Sequence, residues 1–302
     1  MTMQGRTFEW LVLAVLVAIW GSGFAALKIA TEHIDPAWNT AARLAIASAT
    51  LAIVMGVQRQ RLPAASHPAW RAYAVIGLVG MAVPFVLFAF AAQRLPSAIV
   101  AICNGASPIF TALLAHAFVA GDRLTWARAF GVGLGFAGLV VLVAPRLGGG
   151  LTVEAVAVTA ALVGAALYAV SNIVTRRAPV VSSTAGALMM CLWALAFALG
   201  AALVLEPVPT VLPPWPAVLA VAALGVFSTG LATVGYVFLI QRRGPLFMSM
   251  SIYLAPCLAT GVGMAALGER PGWPAFAALG LILIGVGFVT WTPRTLDRGA
   301  AP

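Results

Sequence analysis

Between Arg94 and Trp126 the chain carries a run of features that returns about 148 residues later, between Arg243 and Trp273. In the first copy an Arg turn leads into an apolar helix with Asn104, Ser107 and Pro108, then Gly121-Asp122-Arg123 and Trp126. The second has Arg243, an apolar run with Ser249, Tyr253 and Pro256, then Gly268-Glu269-Arg270 and Trp273. Each Trp opens a glycine-rich stretch, Gly131, Gly133 and Gly138 in one copy and Gly280, Gly285 and Gly287 in the other. A chain written twice from one pattern folds as two equivalent units, and we divide it at residues 1–147 and 148–302.

The medium of both units follows from their polarity. With 62% hydrophobic and only 8% charged residues, the chain lacks the charge to cover a water-facing surface. A helix needs about 20 apolar residues to cross a bilayer. Ten such runs are present, near 9–30, 37–57, 69–92, 97–119, 126–143, 152–175, 183–205, 216–241, 246–267 and 274–292. The first is longer than the apolar core of a signal peptide and is read as a helix of the mature protein. The intervening loops are too short for a soluble domain. Of the 17 Lys and Arg residues, only Lys28, Arg43, Arg94, Arg146 and Arg270 fall on the side opposite the N-terminus. By the positive-inside rule both termini are cytoplasmic. Five spans per unit is an odd number, so the second unit enters the membrane upside down. The expected fold is therefore all-α and integral to the membrane, ten transmembrane helices in two inverted five-helix repeats, an arrangement used by secondary transporters.

The remaining chemistry is sparse. The net charge of +9 is spread singly through turns and does not form a nucleic-acid footprint. Cys103, Cys191 and Cys257 lie singly in apolar runs and suggest neither a disulfide framework nor a metal set. His33 and His67 are in loops, His116 is isolated, and no span holds a carboxylate pair or a nucleophile with its base. No enzyme, metal or cofactor is expected.

Two stripes suggest a lining. Trp20, Phe24 and Lys28 recur at i, i+4 and i+8 along one helix side, and Tyr168, Asn172 and Arg176 repeat that spacing in the second unit. Met81, Phe85 and Phe88 are matched likewise by Thr229, Thr233 and Tyr236. Helix packing alone accounts for aromatic residues at this spacing. The Tyr, Asn and Thr among them favour a central cavity, because polar groups facing lipid lack partners. The substrate-contacting set is then Trp20, Phe85, Asn104, Tyr168, Asn172, Thr233, Tyr236, Ser249 and Tyr253. Pro108 and Pro256, each inside a span, are either hinges of the two units or fixed kinks. The Gly-rich fifth and tenth helices pack closely, against each other or against another subunit.

These residues resemble the drug/metabolite transporter superfamily, specifically its ten-helix EamA-type exporters. The likeness runs through Trp20-Gly21-Ser22-Gly23-Phe24, Pro36 with Arg43, Ala91-Ala92-Gln93-Arg94-Leu95, and the Pro108 to Gly121-Asp122 and Pro256 to Gly268-Glu269 pairs. Asp122 departs from it, since the family more often has Glu. The resemblance implies a metabolite exporter of the bacterial inner membrane, similar to amino-acid exporters, with a small-molecule substrate and the lipid bilayer as partners. The aromatic stripes point to aromatic and other neutral amino acids. A lipid or lipid-carrier flippase is the alternative.

Charge placement adds two expectations. Each mouth holds one cation and one acid, Asp122 with Arg176 at the cytoplasmic end and Lys28 with Glu269 at the outer end, placed either as alternating latches or simply as snorkelling and topology charges. All eight acids lie in loops or within about a turn of a span end, so transport without obligatory proton coupling is expected.

Overall fold

The computed structural model describes the backbone of residues 3–118, 125–147, 152–175 and 177–290, and their side chains except at 3–6, 146–147, 237, 240–241, 243–249 and 252–253. Among the described residues all the regular secondary structure of the chain is helical. Its helices are α1 (Met3–Thr31), α2 (Pro36–Val57), α3 (Ala69–Gly77), α4 (Val83–Arg94), α5 (Ser97–Gly105), α6 (Ser107–Phe118), α7 (Trp126–Leu147), α8 (Val153–Thr175), α9 (Ser183–Leu205), α10 (Trp215–Ala223), α11 (Ala232–Leu267) and α12 (Trp273–Thr290). Among the described residues nine helical runs are long and apolar enough to cross a membrane, and Leu254–Leu267 forms a shorter apolar one.

Large apolar side chains stay on the outside, as with Ile53, Val140 and Val204, which suits hydrocarbon and not water. Trp126 and Trp273, the repeated tryptophans, open α7 and α12 and are 93% and 76% exposed. Helix-end tryptophans of this kind anchor at the membrane interface. Inside, helices approach through small residues, because lipid removes most of the hydrophobic drive for association and leaves close contact to hold the bundle. The glycine-rich helices pack on each other: a β-carbon at Gly131 would lie 2.5 Å from the Gly285 carbonyl oxygen, and one at Gly138 would lie 3.0 Å from that of Ala278. α7 and α12 are therefore antiparallel and in backbone contact.

Two departures from the sequence expectation bear on the site. The turn expected near 242–245 is absent as a separate loop, and residues 232–267 form one 36-residue helical element. That element is not straight. Leu16 packs on Gly235 and Leu258 on Gly21, positions about 8 Å apart along α1, whereas the intervening residues would span about 35 Å of straight helix. It folds back on itself and flanks α1 with both limbs.

The second departure is a wide π-helical turn in each unit, Leu78–Ala82 between α3 and α4 and Leu224–Leu231 between α10 and α11. They stand at matching positions of the repeat. Such turns insert a residue, re-aim the side chains beyond them and concentrate at functional positions.

Candidate functional site

An aromatic and polar chain runs through the bundle and draws on both units. Tyr168 of α8 meets Phe88 and Phe85 of α4, with ring centroids 5.5 and 6.4 Å away, the second pair edge-on. The Arg43 guanidinium of α2 lies over the Phe85 ring, its Cζ 4.0 Å from the ring centroid. Its Nε donates to Thr229 Oγ1 in the second π turn at 2.9 Å. The carbonyl next to Thr229, that of Ser228, accepts the indole N–H of Trp20 at 3.2 Å, and the Trp20 ring stands 6.4 Å from Tyr236. Thr233 closes this segment by donating its hydroxyl to the Thr229 carbonyl at 2.6 Å. The two stripes read from the sequence are thus joined through Arg43 and the π turn, neither of which the expected substrate set contains.

The other expected residues sit variously. Asn104 ends the first part of the fourth span, and its Oδ1 is buried with no hydrogen-bond donor among the described residues. Asn172 is exposed, and the hydrogen bond described for it is a long one to Thr111 Oγ1, at 3.5 Å. It does not join the Tyr168 cluster. The side chains of Ser249 and Tyr253 lie outside the described residues.

The two prolines differ in their surroundings. Pro108 is the second residue of α6, after an interruption at Ala106 that splits the fourth span. Lacking an N–H, it leaves the Asn104 carbonyl without its helical donor, and the Ser107 hydroxyl supplies one at 2.8 Å. Pro256 instead lies within α11, seated against Gly105, where a β-carbon would come 3.2 Å from its ring. The interruption in one unit therefore receives the proline of the other.

At the mouth expected to face outward, the proposed pair of Lys28 and Glu269 does not form. Lys28 Nζ donates to the Ala92 carbonyl at 2.8 Å, near the end of α4. Glu269 accepts from the backbone N–H groups of Ser97 and Ala98 at 2.6 and 3.2 Å and from the Ser97 hydroxyl at 3.0 Å, so it caps α5. Both charges satisfy helix ends, where unpaired carbonyls favour a cation and unpaired N–H groups an anion. Gly268, at φ 65°, ends α11 in the left-handed conformation that glycine tolerates and swings Glu269 into place. Gly263 leaves the room, since a β-carbon there would collide with the Glu269 carboxylate.

Glu206 does the same for α2. Its carboxylate accepts from the backbone N–H groups of Ala37 at 2.9 and 3.1 Å and of Trp38 at 3.1 Å. At the opposite end of the α2–α9 pair the residue matching Glu206 is Gln58, whose Oε1 accepts the Thr184 hydroxyl at 2.9 Å, and beside it Gln60 accepts that of Ser182 at 2.7 Å. Both ends of this pair are clasped across the units, one by the Glu206 carboxylate and one by the amides of Gln58 and Gln60. Asp122 and Arg176, the pair expected at that second mouth, lie outside the described residues. A shallow apolar crevice of about 140 Å³ opens between α1 and the second π turn, lined by residues that include Ile19, Gly23, Ala26, Leu224 and Phe227.

Comparison with known proteins bears on what this arrangement serves. The model of the EamA-like transporter family matches residues 8–144 and again 155–291. The chain is 27% identical over 293 residues, 95% of its length and 94% of the other's, to a protein of Streptantibioticus cattleyicolor described as a probable terminal-alkyne amino-acid exporter. It is 28% identical over 281 residues, 92% of this chain and 89% of the other, to the uncharacterized inner membrane transporter YedA of Escherichia coli. A crystal structure with 24% sequence identity covers 93% of this chain and 96% of its own, at a TM-score of 0.64, a likeness of fold.

Proposed function

Given that the chain belongs to the EamA-like transporter family, and so is a multi-pass membrane transporter and not an enzyme, we propose that it exports amino acids, aromatic and other neutral ones, from the bacterial cytoplasm. The observation that carries this reading is the run of Trp20, Arg43, Phe85, Phe88 and Tyr168, joined through Thr229, between the two units. Rings of this kind hold an apolar side chain, and the few polar groups among them fix its orientation. The relative described as a probable amino-acid exporter supports the same substrate class.

Transport proceeds by alternating access, the two units lying inverted in the inner membrane with both termini cytoplasmic. The carboxylate clasps then close the outer mouth and the amide clasps the inner one. Reporter fusions at the C-terminus and near Pro213 are expected to give cytoplasmic and external signals respectively. A cytoplasmic signal from the second site overturns the inverted arrangement.

Liposomes loaded with unlabelled amino acids should take up labelled phenylalanine or leucine by exchange, with no requirement for a pH gradient. Single Ala substitutions at Trp20, Phe85 and Tyr168 should each weaken that exchange. Exchange unchanged in all three, at normal protein levels, reduces them to packing residues. Uphill accumulation driven by an imposed proton gradient overturns the uncoupled mechanism. The apolar crevice beside α1 favours one second reading, transport of an amphiphile with its chain in that groove. Lipid-linked sugars in the same liposomes test it.

A further inference from the structure

A cation inside a membrane bundle is expensive and usually has a partner or a task. Arg43 lies seven residues into α2, about 10 Å from the start of that helix. It is only partly buried, and the interactions described for it are two: Nε on the Thr229 hydroxyl and the guanidinium over the Phe85 ring. No acid pairs with it among the described residues. The acids nearest in sequence, Glu32 and Asp35, belong to the loop before α2, while Glu206 and Glu269 are held by helix N-termini.

The geometry of what remains is specific. A guanidinium offers five N–H donors in a planar fork, and with Nε engaged the two terminal nitrogens keep the end-on pair that matches the two oxygens of a carboxylate. Phe85 and Thr229 hold the guanidinium from two sides, one through the ring and one through Nε. Tyr168, edge-on to Phe85, adds a second aromatic ring to the surroundings of the guanidinium.

We infer that Arg43 is the carboxylate-binding residue of this transporter and that it restricts the substrates to molecules carrying that group. The inference rests on the transport reading above and deepens it. Thr229 is a positioning residue, aiming the guanidinium from the second unit, so substrate bound at Arg43 is held by both units at once.

The test uses the full chain purified in detergent, with thermal stabilisation by L-phenylalanine, 3-phenylpropionate, phenethylamine and inorganic phosphate as the readout. Phenylalanine and phenylpropionate should stabilise it and phenethylamine should not. Arg43→Gln should weaken carboxylate binding roughly 10- to 100-fold, the loss expected for a charge-assisted hydrogen-bonded pair. Arg43→Lys, a point charge without the fork, should retain part of it. Thr229→Val should weaken binding less than Arg43→Gln while leaving the discrimination against phenethylamine in place. Gel-filtration profiles confirm that each variant is folded, and the Lys variant serves if the Gln variant is not.

Stabilisation by phenethylamine equal to that by phenylalanine overturns the inference, as does an unchanged affinity in Arg43→Gln, a response to phosphate alone, or no response to either carboxylate. Liposome exchange separates the two claims. Exchange of phenylalanine with an unchanged KM in Arg43→Gln sinks the Arg43 assignment and leaves the export reading standing. Arg43-dependent binding of phenylpropionate with no amino-acid exchange does the reverse.

Discussion

Gly131→Ala and Gly285→Ala each lower the thermal stability of the purified protein, while Gly133→Ala and Gly280→Ala in the same two helices do not. The added methyl at Gly131 would sit 2.5 Å from the Gly285 carbonyl oxygen and 2.7 Å from Phe288 Cβ, and the one at Gly285 would sit 2.5 Å from the Gly131 carbonyl oxygen. These obstacles are backbone or backbone-proximal, so no rotamer change relieves them. The helices must move apart, at about 1–3 kcal/mol for each substitution. Around Gly133 and Gly280 nothing lies within 4 Å of the added carbon. There alanine's better helix propensity, worth up to about 1 kcal/mol, is the only local term. Melting curves of the four variants check this, and equal destabilisation at all four positions contradicts the described α7–α12 contact.

The second large effect is expected from Glu206→Ala combined with Glu269→Ala. Each carboxylate serves unpaired N–H groups at the start of a helix belonging to the other unit. Hydrogen bonds to a charged group contribute about 1.5–3 kcal/mol, with a further 0.3–1 kcal/mol or so from the helix dipole. If both clasps hold one mouth shut, the low end of that range shifts the closed-to-open ratio by about 20-fold when either is lost and by about 400-fold when both are. Hydrogen exchange at the amides of Ala37, Trp38, Ser97 and Ala98 should accelerate accordingly. The amides near Ser182, at the other end of α9, serve as the internal control. Wild-type exchange at 37–38 and 97–98 in the double variant rules out the clasps as closing elements.

Much of the architecture is legible in the residues because hydrocarbon imposes it. The apolar runs, the duplication and the family all follow from patterns that local sequence carries. What escaped had partners far along the chain or depended on helix phase. Glu269 reads as a mouth charge and Glu206 as one more acid near a span end, since nothing nearby announces helix starts 172 and 169 residues away as their partners. Lys28 and Glu269 read as a pair because opposite charges at one end suggest it, but helix ends compete for both and win here.

Arg43 read as a topology charge because it follows a loop so closely. Only the packing shows it turned onto Phe85 and Thr229. The π turns have no signature in hydropathy, since an inserted residue shifts the phase of a stripe without changing its composition. Among the glycines, Gly131 and Gly133 are identical in sequence terms. Which of them touches a neighbour is a fact of rotation about the helix axis.

The clasps on α2 and α9 carry a consequence for the history of the two units. Gln58 and Glu206 stand at equivalent positions of the repeat, one an amide and the other a carboxylate, each holding the start of the opposing helix. Glutamine and glutamate codons differ at a single base. An ancestor with identical units would have had mouths of equal strength, and one nucleotide change suffices to make them unequal. On the proposed alternating-access reading, bias toward one resting state is then gained, lost or reversed by mutation at the rim, leaving the proposed substrate contacts unaltered.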